Sequence, residues 1–178
     1  MNAPWDDRGD RRLLRRMADG DREALAELYD RHAPALFNHA VALTRSPADA
    51  EDLVQGVFVK AAGMGARLLG IRRAGAYLHR MLRMAFLDGE RHRGVAGEEP
   101  LTGVEVPAGA GTTEADRLAL ASALGRLPAE QREAVVLHVL QGLTFREVAA
   151  MTGVPIWTAA SRYRLGMGGL RGILGAQR

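Results

Sequence analysis

The side chains best suited to chemistry lie near the end of the chain, in a stretch with helix-turn-helix spacing. Residues 145–151 predict a short helix, and Gly153 can adopt the positive φ that a tight turn requires. The second helix of such a unit enters the DNA major groove, where its side chains reach phosphates and base edges. The candidate DNA contacts in this unit are Thr144, Arg146, Trp157, Thr158, Ser161, Arg162 and Arg164.

Apolar residues in the same stretch fit the helix-turn-helix register. Ala149 is small enough to let the second helix cross closely, and Val154 and Ala159 supply the apolar underside of that helix. A helical hairpin that packs on another protein would use a similar pattern. Because the turn glycine, the small residue and the apolar positions all fall in register, we favour DNA binding.

A second group of candidates forms an arginine-rich block in the first half of the chain. Between Arg67 and Arg93, seven arginines stand against two carboxylates. Arginines interleaved with apolar side chains suit a nucleic acid backbone with unstacked bases, although a solvated basic face explains the block taken alone. A DNA-binding unit elsewhere in the chain favours the first interpretation. The candidates are Arg72, Arg73, Arg80, Arg83, Met84, Asp88 and Arg91.

An acidic group precedes this block. Ser46 predicts a helix cap, Pro47 suits the first helical position, and carboxylates follow in the first turn. These carboxylates either stabilise the helix dipole or form a docking site for a basic protein partner. The residues of this face are Asp49, Glu51, Asp52 and Gln55.

Neither catalysis nor metal binding finds support in the sequence. The five histidines are scattered without zinc-ligand spacing, and Lys60, the only lysine, lacks a phosphate-binding glycine loop. The chain has no cysteine for a disulfide or a thiolate metal site. We therefore expect no enzyme activity, cofactor or metal. An enzyme on a helical scaffold would need a pocket with clustered ionisable groups.

The elements that must position these residues are all predicted helices. Apolar residues recur at helical spacing through residues 10–93 and again from 114 onward, and no segment looks like a strand. Between them, residues 94–113 contain five glycines and two prolines and predict a flexible linker. We therefore predict an all-α fold of two small helical domains, 10–93 and 114–178, joined by that linker.

Helix boundaries and buried stripes follow from the same patterns. One helix is predicted from about residue 74 to 91, and another from Pro128 to about Gln141. The second helix of the helix-turn-helix is predicted to weaken after Arg164, because each glycine there costs ~1 kcal/mol relative to alanine. Those glycines are Gly166, Gly168 and Gly169. The residues predicted to be buried include Leu78, Met81, Leu82, Ala85, Phe86, Leu118, Ala121 and Leu124.

The sequence also bears on location. No run approaches the ~20 apolar residues of a membrane span. The first residues are acidic, where a signal peptide would be basic and then apolar. The absence of cysteine favours a reducing compartment. We expect a cytoplasmic protein without a membrane span.

The order and spacing of these motifs resemble the extracytoplasmic-function sigma factors, the smallest class of the bacterial sigma family, which directs RNA polymerase to promoters. Residues 19–29 resemble the opening of the family's region two, 49–58 its most characteristic motif, and 77–88 its promoter-melting helix. Residues from Leu127 onward resemble region four. The resemblance covers almost the whole chain.

This resemblance implies a role for each group of residues. The acidic helix would dock on the clamp helices of the polymerase's largest subunit, and the flap would be a further polymerase contact. The arginine block would hold the non-template strand of the minus-ten element and capture a flipped base. The helix-turn-helix would enter the minus-thirty-five element, and the linker would thread near the active-site and RNA-exit channels. An anti-sigma factor would occlude one or both domains.

Several residues differ from the family's usual pattern. Gly56 stands where a carboxylate is common, Met84 where an asparagine is common, and Ala160 where a lysine is common. Leu165 and Met167 stand where basic residues are common, which predicts weaker and less salt-sensitive DNA binding. Two interpretations remain open. One is an active promoter-specificity factor with unusual promoter preference; the other is a divergent regulator that binds polymerase or DNA without opening promoters.

Overall fold

The computed structural model describes residues 6–93 and 113–176, with side chains described for 6–89 and 113–176. The described residues are helical and contain no strand, which confirms the all-α prediction. The first unit contains α1 (Asp7–Ala18), α2 (Arg22–Thr44), α3 (Pro47–Ala62) and α4 (Ala74–Arg93), with a 3-10 turn at Gly65–Gly70. The second contains α5 (Glu114–Gly125), α6 (Ala129–Val135), α7 (Phe145–Thr152) and α8 (Ile156–Gly175).

Local signals determine where several helices begin and end. The Ser46 hydroxyl accepts a hydrogen bond from the Asp49 backbone N–H at 3.3 Å at the start of α3, as predicted. Thr144 caps α7 in a reciprocal capping box with Glu147. Gly153 ends α7 with a φ of 71°, the left-handed conformation predicted for the turn. Such signals can be read from the sequence because a cap or turn depends on a few neighbouring residues.

The first unit packs α1, α3 and α4 around α2. Leu28 and Leu36 on α2 are fully buried, and His32 lies in the same buried stripe. The Nε2 of His32 is 2.9 Å from one oxygen of the buried Asp10 on α1, and Arg31 binds the other oxygen at 2.8 Å. These polar partners satisfy a carboxyl group that would otherwise be costly to bury.

Helix α8 is longer and more regular than the sequence predicted. It continues to Gly175, so the prediction that it weakens at its glycines was wrong. A Cβ at Gly166 would lie 2.8 Å from Val135 Cγ2, and one at Gly169 would lie 2.7 Å from Leu127 Cδ2. These two glycines therefore let α8 approach its neighbours closely, and the packing offsets their low helix propensity.

Two other sequence predictions need correction, and a third is confirmed with one difference. The helix predicted from Pro128 to about Gln141 begins and ends as predicted, but after α6 its last residues, Val136–Leu140, form a π-turn. Leu118 was predicted to be buried but is 63% exposed, because α5 packs against α8 on one side only. Ala85 is exposed as well, because the burial of α4 centres on Leu78 and Leu82.

The two units pack against each other. Buried residues of α5, α6 and the π-turn belong to the same hydrophobic cluster as the core of the first unit. Arg132 Nε donates a hydrogen bond to the Ala42 carbonyl oxygen at 2.6 Å, and Gln141 Nε2 donates one to the Ala35 carbonyl oxygen at 2.7 Å. The predicted linker, residues 94–113, lies outside the described residues apart from its last.

Candidate nucleic-acid interface

Most of the predicted helix-turn-helix contacts are accessible. Trp157 is 73% exposed near the start of α8. Also exposed are Thr144, Arg146 and Arg164. The half-buried members are Thr158, Ser161 and Arg162. Arg162 Nη2 pairs with Glu130 of α6 at 2.9 Å. Because Ala159 is buried underneath, the first turns of α8 present their polar side chains outward.

Three rings hold α8 in its orientation. The His138 ring, on the π-turn, stacks on Phe145 of α7 with 4.1 Å between centroids. Tyr163 of α8 meets His138 edge-on with centroids 4.8 Å apart. Because a carbonyl oxygen only accepts, His138 Nδ1 donates to the Leu143 carbonyl oxygen at 2.5 Å. These contacts fix the angle at which α8 leaves the turn.

The predicted strand-binding residues lie on helix α4 and just before it, and they fall into two sets. In one set, the side chains of Arg72, Arg80, Met84 and Asp88 are exposed. The other set consists of Arg73, which is 45% exposed, and Arg83, and both pair with carboxylates of the second unit. The side chain of Arg91 lies outside the described residues. The two units therefore meet at residues that the sequence assigned to DNA.

Glu133 of α6 is buried between the two units. Its side chain is 2% exposed, and its Oε1 accepts hydrogen bonds from Arg83 Nε at 3.0 Å and from His39 Nε2 at 2.9 Å. Burial alone would raise the pKa of Glu133. The hydrogen bond and charge from His39 and the charge of Arg83 outweigh burial, so this pKa lies below its ordinary value. Glu133 is thus a carboxylate anion held by two donors of the first unit.

His39 also contacts a second buried histidine. His39 Nδ1 and His79 Nδ1 are 2.9 Å apart, and both side chains are fully buried. One Nδ1 must donate and the other accept, so the contact requires at least one neutral ring. Burial is the main reason that the pKa of His79 lies well below its ordinary value, and the charges of His39 and His32 lower it further. His79 is therefore the neutral ring of the pair.

A second carboxylate of the second unit pairs with an arginine just before α4. Glu147 is 5% exposed, and its Oε1 accepts from Arg73 Nη2 at 2.8 Å. Burial alone would raise the pKa of Glu147, but hydrogen bonds from Thr144 and the charge of Arg73 bring it below its ordinary value. Arg73 also lies 3.4 Å from Asp7 of α1. Two arginines predicted to bind DNA are thus occupied by carboxylates of the other unit.

The predicted partner-docking face on α3 borders a groove. Its exposed residues are Glu51, Asp52 and Gln55, and Asp49 is half-buried. The groove between α2 and α3 has a volume of 690 Å³ and is lined by Tyr29, Phe37 and Val54, with Glu51 and Gln55 alongside. An apolar groove beside acidic groups suits an amphipathic helix that carries basic and apolar residues.

Sequence reasoning missed two exposed apolar residues on these surfaces. Val59 is 74% exposed on α3, one turn after Gln55 and two after Asp52. Ile156 is 49% exposed and precedes Trp157 on α8. The available signal was an apolar side chain outside the periodic buried stripe of its helix. Sequence reasoning also missed four buried residues whose partners are distant in sequence. They are the carboxylates Glu133 and Glu147 and the histidines His39 and His79.

Two further features concern metal binding and membrane crossing over the described ranges of the chain. Within residues 6–93 and 113–176, histidine, aspartate and glutamate side chains nowhere form a group that could hold a metal ion. Over the same ranges, no helix combines the length and apolar character needed to cross a membrane.

Both units match one class of protein, the sigma-70 factors. Sigma-70 region 2 matches residues 28–94, and sigma-70 region 4 matches residues 117–168. The chain is 32% identical over 166 residues to the RNA polymerase sigma factor CarQ of Myxococcus xanthus, covering 91% of this chain and 95% of CarQ. It is 32% identical over 169 residues to the ECF RNA polymerase sigma factor SigM of Mycobacterium tuberculosis, covering 95% and 86%. The chain belongs to the extracytoplasmic-function (ECF) RNA polymerase sigma factors of the sigma-70 family.

Membership in this family establishes the activity. The protein is a transcription initiation factor that associates with RNA polymerase and recognises promoters, and it is not an enzyme. The predictions of the family and of its function are therefore confirmed.

Two solved structures share the fold. CnrH, in complex with the cytosolic domain of CnrY, has a TM-score of 0.71 and 28% identity, covering 96% of this chain and 99% of CnrH. The sigma factor RpoE of Bartonella quintana, in complex with the anti-sigma factor NepR, has a TM-score of 0.70 and 28% identity, covering 86% and 98%. Each likeness extends over most of both chains.

Proposed function

We propose that this sigma factor holds a promoter at two points. Residues 10–93 contact the polymerase and the minus-ten element, residues 94–113 link the units, and residues 114–178 contact the minus-thirty-five element. The observation that carries this proposal is that arginines are exposed on both α4 and α8, as at Arg80 and Arg164. Such residues bind phosphates and set the register in which neighbouring side chains meet the bases.

On the minus-ten side, we assign the strand contacts to α4 and the residues before it. Those residues are Arg72, Arg73, Arg80, Arg83, Met84, Asp88 and Arg91. Met84 is 47% exposed and can pack on an unstacked base, but a thioether offers no hydrogen-bond donor. Base reading by α4 therefore depends more on stacking and shape than on hydrogen bonds.

On the minus-thirty-five side, the first turns of α8 enter the major groove. We assign the base-edge contacts to Trp157, Thr158 and Ser161, which lie in the first two turns of α8. The phosphate contacts fall to Thr144, Arg146, Arg162 and Arg164. The Thr144 hydroxyl is engaged in the cap of α7, so its contact would supplement that role.

Polymerase binding is assigned to α3. Asp49, Glu51, Asp52 and Gln55 would face basic residues on the clamp helices of the largest subunit. The groove between α2 and α3 would accept an apolar side chain from the same partner. The flap is the expected partner of the second unit.

Reconstituted transcription tests this assignment. The protein is combined with core RNA polymerase and promoter fragments from its own genome, and the transcripts are measured. We expect Arg80→Gln to lower open-complex formation and Arg164→Gln to lower promoter binding, whereas Arg22→Gln, an exposed arginine on α2, changes neither. Equal effects of all three substitutions would contradict the proposed division.

The divergent-regulator interpretation makes a different prediction. If Met84 and Ala160 have removed promoter contacts, then Met84→Asn with Ala160→Lys should raise promoter affinity and restore opening. Gly56 has open space around its missing Cβ, so Gly56→Glu can add the absent carboxylate without a clash. Promoter opening by the unchanged chain would contradict this interpretation.

The likeness to CnrH and RpoE supports two further proposals. Both were solved with a bound partner, and an anti-sigma factor that covers one or both units is expected to regulate this chain as well. Since the partner of a sigma factor is RNA polymerase, the protein is expected to act in the cytoplasm. Co-purification with core polymerase from a cell extract tests both the partner and the compartment.

A further inference from the structure

The Glu133 carboxylate occupies a site built entirely by the first unit. Arg83 of α4 and His39 of α2 both donate to Glu133 Oε1, at 3.0 Å and 2.9 Å. His79 supports His39 from behind through the contact between their Nδ1 atoms. Without the second unit, these two donors would be directed at the same place without a partner, and an anion bound there would be stabilised by both.

We propose that His39 and Arg83 form a phosphate-binding site, and that Glu133 fills this site until the promoter strand replaces it. This inference rests on the proposed contact between α4 and the minus-ten strand. It adds His39, a residue outside the arginine block, to the DNA-contacting set. It also assigns Glu133 a role as an internal stand-in for a phosphate.

The chemistry of the donors supports this reading. A guanidinium and an imidazole N–H donate to phosphate oxygens as readily as to carboxylate oxygens. Arg83 lies next to Met84 on α4, and Arg80 lies one turn earlier on the same helix. A phosphate bound by His39 and Arg83 would thus continue the row of backbone contacts proposed for α4.

The same arrangement occurs a second time between the units. Glu147 of α7 pairs with Arg73 just before α4, at 2.8 Å. Arg73 is 45% exposed, so this second pair is more accessible to solvent than the Glu133 pair. Two carboxylates of the second unit therefore pair with two arginines of the first, and a phosphate would have to replace the carboxylate at each of them.

Binding of single-stranded DNA to the whole chain, without polymerase, tests the proposal. The probe is a short fluorescein-labelled oligothymidine, which offers phosphates but no duplex for the helix-turn-helix. We expect Glu133→Gln to tighten binding by about tenfold, the effect of gaining one or two charge-assisted contacts. Glu23→Gln, the same change at an exposed glutamate in the first turn of α2, is the matched control and should leave the affinity unchanged.

A second substitution separates a phosphate contact from a merely structural role. In the Glu133→Gln background, His39→Gln should remove most of the gain, and Arg83→Gln should remove it and also lower the slope of log affinity against log salt by ~0.7, because the guanidinium carries a full charge. A structural role would change the unfolding midpoint without changing that slope. Glu147→Gln provides an independent variant, because it should release Arg73 and give a smaller gain of its own.

Separation of the units can be followed in the same samples. Because the chain has no cysteine, Ala62→Cys on α3 and Ala150→Cys on α7 give a specific pair for fluorescent labels. Both alanines are exposed. We expect energy transfer between the labels to fall when oligothymidine binds, and to fall without DNA in the Glu133→Gln variant.

Several results would overturn the inference. One is a Glu133→Gln variant that keeps its circular dichroism spectrum but binds oligothymidine no more tightly than the unchanged chain. Another is a gain that persists after His39→Gln. Loss of binding on Arg80→Gln would still support the proposed role of α4, so failure of this inference is distinguishable from failure of the proposed function.

Discussion

Helices α4 and α8 both carry arginines assigned to promoter DNA, yet their surroundings differ. On α4, Arg83 pairs with Glu133, a carboxylate from the other unit that is 2% exposed. On α8, Arg162 pairs with Glu130, which belongs to the same unit and is 63% exposed. The packing of the two units covers α4 at Arg83, whereas the carboxylate partner on the α8 side remains open to solvent.

The difference between these pairs has an energetic meaning. A pair whose carboxylate is exposed, such as that of Arg162 with Glu130, contributes about 0–1 kcal/mol, so DNA can displace the carboxylate at little cost. Removing one partner from a buried pair costs about 3–5 kcal/mol unless another ion replaces it. The packed chain therefore already presents α8 to the minus-thirty-five element, while contact of Arg83 with the minus-ten strand requires the units to separate.

Loss of Arg132 should have the largest effect. This arginine is 2% exposed and donates to the carbonyl oxygens of Ala42, Gly125 and Leu127, so it joins the first unit to the second. Burial is the main reason that the pKa of Arg132 falls to about 10, so the guanidinium remains charged at neutral pH. Arg132→Met should lower the free energy of unfolding by about 3 kcal/mol, because it leaves buried carbonyl groups without a donor.

Urea unfolding measures this loss, with Arg126→Met as the exposed control. Oligothymidine binding by the folded Arg132→Met variant should also tighten, while affinity for a minus-thirty-five duplex should stay the same. Equal changes in both affinities would contradict the difference between α4 and α8.

Substitutions at two glycines of α8 form a matched pair that tests how closely this helix packs on α6. Gly166→Ala should cost about 2 kcal/mol of stability, because the new Cβ would lie 2.8 Å from Val135 Cγ2. Gly168 has open space around its missing Cβ, so Gly168→Ala should stabilise α8 by up to ~1 kcal/mol. Thermal unfolding and duplex binding check both changes. If the two variants behave alike, the close approach of α8 to α6 is not as described.

Lowering the pH should destabilise the protein through His79 on α4. His79 has a pKa well below the ordinary 6.5, and it faces His39 from α2, with Arg83 on its own helix and Glu133 from α6 close by. Below about pH 6.5 the unfolded chain therefore binds a proton that the folded chain excludes, so stability falls as the pH is lowered.

The slope of this loss is at most about 1.4 kcal/mol per pH unit, the effect of one proton. Urea unfolding across this range measures it. His79→Gln should flatten the dependence, whereas an unchanged slope would show that another group is responsible. The lowered pKa values of Glu133 and Glu147 add a further loss of stability at more acidic pH, once these carboxylates are protonated.

The smallest predicted effect concerns an exposed arginine on α8. Arg164→Gln should weaken binding to a minus-thirty-five duplex by about 1 kcal/mol and lower its salt slope by ~0.9, because one phosphate contact is lost. The loss should be equal in the unchanged chain and in the Glu133→Gln background. A loss that depends on Glu133 would mean that the packing of the units also covers α8.

The sequence could predict those parts of the fold that depend on near neighbours. The cap at Ser46, the turn at Gly153 and the helical composition follow from local spacing. Gly166 and Gly169 were misinterpreted, because their contacts with Val135 and Leu127 arise only when the helices pack. Local propensity counts a glycine as a cost and cannot include the neighbour that its missing side chain admits.

The residues at the contact between the units were harder to anticipate. His39 falls at helical spacing with Leu36 and Leu43 of the buried stripe, so its burial was readable from the sequence. Its partner Glu133 is 94 residues away, and no spacing rule connects them. Arg83 was assigned to DNA by its helix, and its carboxylate partner became visible only in the packed structure.

Because Glu133 belongs to the same chain as the site that it fills, it competes with DNA at an effective concentration that does not fall on dilution. For short tethers such concentrations reach the millimolar range. The affinity of the free protein for the minus-ten strand is therefore its intrinsic affinity multiplied by the fraction of molecules in which the units are apart. Any partner that binds the two units at separated positions raises that fraction, and it strengthens DNA binding without touching the DNA.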